Sequence, residues 1–63
     1  MSTPEITAAD KAAEAKAELR HRTRNYARMV RSGRMPRELA ERKIAIMGAI
    51  ARDYEQQAAA TQV

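Results

Sequence analysis

Val30-Arg31-Ser32-Gly33-Arg34-Met35-Pro36-Arg37-Glu38 is the stretch on which the fold turns. On its N-terminal side a helical pattern runs unbroken; at Ser32-Gly33 it stops. Gly33 is placed to take the left-handed conformation that closes a helix, and Pro36, with its fixed φ and missing N–H, suits the first turn of the next one. Glu38 adds a favourable negative charge at that new N-terminus. Four residues, 32–35, therefore separate two helices, and two long helices joined so tightly fold back on each other as an antiparallel hairpin.

Upstream, Thr7-Ala8-Ala9-Asp10 has the form of a capping box with Asp in place of Glu, and alanine, lysine and glutamate dominate from there to Glu18. The first helix is expected over residues 8–31, with 1–7 a disordered tail. Ala12, Leu19, Tyr26 and Val30 recur at helical spacing as its apolar seam. Downstream, the second helix is expected over 36–57, with 58–63 fraying because the segment lacks large side chains. Its apolar stripe is wider. One seam runs through Leu39, Ile46 and Ile50, and a second through Ala40, Ile44, Met47, Ala51 and Tyr54. One of them meets the first helix, and the other asks for a further partner. Leu39, Ile46, Met47, Ile50 and Tyr54 are thus the expected self-association residues. Gly48, which costs about 1 kcal/mol in a helix relative to Ala, is either tolerated or marks close backbone approach between two copies of helix two.

The chain has 63 residues, and half of its hydrophobic fraction of 44% is alanine. Eleven larger apolar side chains lie away from the ends, few for an independent monomer. Chains of this size add disulfides, a metal or self-association. With no cysteine and one histidine, self-association is the route left, and a symmetric dimer forming a four-helix bundle is the economical form of it. The expected class is all-α. No apolar run reaches the roughly 18 residues of a membrane span, and residues 1–9 lack the basic and apolar regions of a leader, so a cytoplasmic protein without a membrane partner is expected.

Twelve basic and eight acidic residues give a net charge of +4. The excess is concentrated. Between Leu19 and Arg37 there are seven arginines and no acid. At 100° per residue Arg20, Arg24, Arg28 and Arg31 gather opposite the seam of helix one, a ridge about 17 Å long that suits a phosphate backbone or an acidic protein surface. A compositional bias that raises Arg and Ala together produces the same face, and both readings stay open. Arg22 falls between the seams, where it either snorkels or pairs with Glu18 one turn earlier. His21 has no second His or Cys beside it, Asp53 and Glu55 point different ways, and no nucleophile, base and orienter combine. No catalytic residue, cofactor or metal is expected. Tyr26 and Tyr54 read as core residues with hydroxyls toward solvent.

The spacing Leu19-Arg20-His21-Arg22, Tyr26, Val30-Arg31-Ser32-Gly33-Arg34-Met35, Ala40-Glu41, Ile44-Ala45-Ile46-Met47 and Ile50 to Asp53-Tyr54 resembles short helical proteins of uncharacterised function encoded by phages and prophages of proteobacteria. The likeness extends over residues 18–56. It implies a phage accessory role, with host or phage proteins and nucleic acid as partners. Three functions are carried forward: a protein-binding adaptor or inhibitor, a nucleic-acid-binding accessory using the ridge, and a purely structural homo-oligomer.

Overall fold

A computed structural model describes residues 5–60. Those residues form two α-helices, α1 (Ala8–Arg31) and α2 (Arg37–Ala60), packed against each other along their length, with no strand among them. Thr7 caps α1: its hydroxyl accepts from the Asp10 N–H at 3.1 Å, and Asp10 Oδ2 accepts from the Thr7 N–H at 3.0 Å. The expected capping box is therefore present. Residues 5–7 lie outside the helix, Ile6 among them with 69% of its surface exposed. The rest of the expected tail, residues 1–4, lies outside the described residues, as do 61–63.

α1 ends in a double bond pattern around Gly33. Its N–H donates to Val30 O at 3.1 Å, the Arg34 N–H reaches back to Met29 O at 2.8 Å, and φ at Gly33 is +78°. Together these form a Schellman closure, which requires the left-handed region and so a glycine. Pro36 sits one position earlier than its expected place in the first turn. Its carbonyl accepts the Ala40 N–H at 3.1 Å while α2 proper starts at Arg37. At the far end α2 continues through Ala60 rather than ending at Gln57. Two helices of equal length lie antiparallel, so the last turn of α2 runs beside the first turn of α1. Ala58 and Ala59 line one groove with Ala9, Ala12 and Ala13, and alanine needs little tertiary support to stay helical.

The hairpin is one helix thick. Its extents are 45 × 28 × 12 Å, and its radius of gyration is 14.8 Å against the roughly 11 Å of a compact chain of this length. A single layer leaves both broad faces open, so no large side chain is fully buried. The buried residues are mostly alanines: Ala15 packs with Met47 and Ala51, with Leu19 and Tyr54 against them, while Ala12 and Ala40 are buried towards the two ends. Across the far end Lys16 Nζ pairs with Glu55 Oε2 at 3.4 Å, an exposed contact of small energetic weight.

Candidate functional site

The rotation of α2 about its axis decides which of its two seams is used. Ala40, Met47 and Ala51 turn into the hairpin, with Ile44 and Tyr54 half-buried beside them. Leu39, Ile46 and Ile50 stay on the outer flank at 44%, 45% and 39% exposure. Two of the five residues assigned to self-association therefore have another position. Met47 is 7% exposed inside the hairpin core, and Tyr54 packs on that core with the Lys11 ammonium 5.9 Å from its ring centroid. Spacing had set both in the seam with Ala40, Ile44 and Ala51, about 60–80° from the exposed row, and it is that seam which turns into the hairpin. Of the expected self-association residues only Leu39, Ile46 and Ile50 therefore stay on the open flank. Gly48 is buried, yet a Cβ built on it meets only the Arg52 guanidinium at 3.6 Å. No backbone of α1 presses on it, and it faces away from the Leu39–Ile50 flank.

On α1 the four ridge arginines, Arg20, Arg24, Arg28 and Arg31, are all exposed; Arg20 borders a groove shared with Glu55, Ala58 and Ala59 of α2, and Arg31 borders one shared with Ala40 and Ile44. None of them has an ion pair among the described residues. Arg28 is held in place by Asn25, whose Oδ1 accepts from Nη2 at 3.0 Å. Because a guanidinium only donates, that bond orients the amide, and Asn25 Nδ2 then donates to His21 Nε2 at 2.9 Å, which requires the neutral ring with its proton on Nδ1. Arg22 is separate from the ridge. It donates through Nε to Glu18 Oε1 at 2.7 Å, and this bond holds the guanidinium pKa above its ordinary value. Sequence spacing had placed that pair.

Both tyrosines turn toward the hairpin, so the ridge face carries no aromatic ring. Beside it, near the turn, Tyr26, Val30, Ala40 and Ile44 floor an open groove of about 330 Å³ with Arg31 and Arg37 at its rim, a feature that sequence spacing did not reveal because its walls come from both helices. Among the described residues no group of three or more His, Cys, Asp or Glu is placed to hold a metal, and no helix is long and apolar enough to cross a membrane. Comparison of the chain with protein families, with curated proteins and with solved structures finds no match.

Proposed function

We propose that this chain is a small non-enzymatic binding protein of the phage or prophage accessory kind. It works in the host cytoplasm as a homodimer, two hairpins making a four-helix bundle, and serves as an adaptor or inhibitor that docks an acidic protein of phage or host origin. The observation that supports this reading is the ridge: four exposed guanidiniums along one helix, spanning about 17 Å, with no carboxylate among the described residues paired to them. Arginine in such a row matches carboxylates bidentately and loses little hydration on docking.

The same row suits phosphates, and nucleic acid is the second reading. The Arg-only composition of the ridge favours it. Against it stand the absence of any stacking ring on that face and the shape of the hairpin, two long antiparallel helices rather than the short helices of a groove reader. One pair of measurements separates the two. For a labelled random duplex, anisotropy titrations across a salt series give a log–log slope of about −0.9 per phosphate contacted, flattened by about four contacts in the Arg20, Arg24, Arg28 and Arg31→Gln variant. For a protein partner, capture from nuclease-treated extract of the native cell retains a protein that the quadruple variant loses. Nuclease-sensitive capture together with a steep salt slope selects nucleic acid. Identical behaviour of wild type and variant in both assays removes the ridge as a binding surface and leaves the structural homo-oligomer.

A further inference from the structure

The exposed flank of α2 carries more than aliphatic side chains. Along it, in order, lie Leu39, Lys43, Ile46, Ile50 and Asp53, all exposed. Lys43 and Asp53 are the charges of this row, and neither has an ion pair among the described residues. Their own helix offers none either. The neighbours three and four positions from Lys43 are Leu39, Ala40, Ile46 and Met47, and those of Asp53 are Ala49, Ile50, Gln56 and Gln57.

We infer that the flank is self-complementary and receives the α2 of a second copy running antiparallel, with the twofold axis at the level of Gly48. In an isologous antiparallel contact each residue meets the one whose number completes a constant sum. With the axis at 48 that sum is 96, so Ile46 meets Ile50 of the second copy and Lys43 meets its Asp53, each pairing occurring twice. Moving the axis to 46 sets Leu39 against Asp53, and moving it between 44 and 45 leaves Asp53 without a counterpart. The first register sets Leu39 against Gln57 of the second copy, and of the three it alone pairs Ile46 with Ile50 while putting opposite charge on opposite charge. The contact closes on α2 rather than across the groove beside Ile50, because Lys11, Glu14, Glu18 and Arg22 wall that groove on the α1 side. The two α2 helices therefore form the centre of the dimer, and each α1, with its exposed arginine row, stays on the outside.

This inference rests on the homodimer of the functional reading, and sedimentation equilibrium tests the two separately. Concentrations from about 1 to about 500 µM cover the range in which an interface this small dissociates. The wild-type chain is expected to reach dimer mass. Lys43→Glu alone and Asp53→Lys alone each place like charges together twice and weaken the dimer about tenfold, whereas the double variant, with the signs exchanged, returns to within about threefold of wild type. Both positions are exposed and unpaired in the hairpin, and circular dichroism of each variant at the highest concentration checks that the helices persist. Monomer mass throughout overturns the homodimer and this inference with it. Dimer mass with the double variant no tighter than the single ones overturns the register alone.

Discussion

Gly48 illustrates how a single residue changes meaning between sequence and structure. A buried glycine inside a helix suggests two backbones in contact, but here the space a Cβ would fill borders only the flexible end of Arg52. Gly48→Ala is therefore expected to stabilise the hairpin by about 1 kcal/mol through helix propensity, seen as a higher urea midpoint at fixed protein concentration. Since the residue faces away from the Leu39–Ile50 flank, dimer dissociation is expected to stay as in wild type. A destabilised variant would mean that another backbone does approach this point. Gly33 has the opposite character: its surroundings are open, and it is its φ of +78° that excludes other residues.

At the scale of the element, the two ends of α1 were legible because capping chemistry is local. Thr7 and Asp10 are three residues apart, and the Schellman bonds span four and six. The cap also gives α1 a pH dependence. The backbone N–H of Thr7, and next its side chain, hold the Asp10 carboxyl below its ordinary value of 3.8. A depressed carboxyl contributes stability that is complete above its ordinary pKa and lost as pH falls through the lower folded value. Helicity followed from neutral pH down to about 2 is expected to fall more in wild type than in Asp10→Asn, which lacks that titration although it is weaker at neutral pH. Parallel curves would show that the box contributes nothing through its charge. The far end of α2 was less legible. Ala58–Ala60 have no local signal beyond the helix propensity of alanine, and Ala58 and Ala59 lie beside Ala9, Ala12 and Ala13 of α1.

For the whole molecule, the decisive quantity is thickness. A layer of 12 Å has no inside for a large side chain, so the described residues bury four alanines, one methionine and a glycine, and the aliphatic residues lie on the faces. Such a hairpin gains little from closing alone, and folding is expected to couple to assembly. Circular dichroism over a dilution series is expected to lose helicity as the dimer dissociates, and Ile50→Asp at high concentration to resemble diluted wild type. A well-folded monomeric Ile50→Asp chain would uncouple the two. Because Ile50 is 39% exposed within the hairpin, its effect is expected to come through the second copy rather than through the hairpin core.

Two helices, the capping box and glycine closure of α1, the reach of Arg22 to Glu18 and an exposed row of arginines were legible in the sequence, since each depends on residues close to one another along a single helix. Which seam of α2 faces α1, the assignment of Met47 and Tyr54 to the hairpin and the isolation of Lys43 and Asp53 on an open flank were decided only by tertiary structure. All three depend on how far one helix is rotated about its axis against the other. That rotation goes with the packing of Ala15 and Leu19 of α1 against Met47, Ala51 and Tyr54 of α2, a non-local fit that no periodicity within either helix contains.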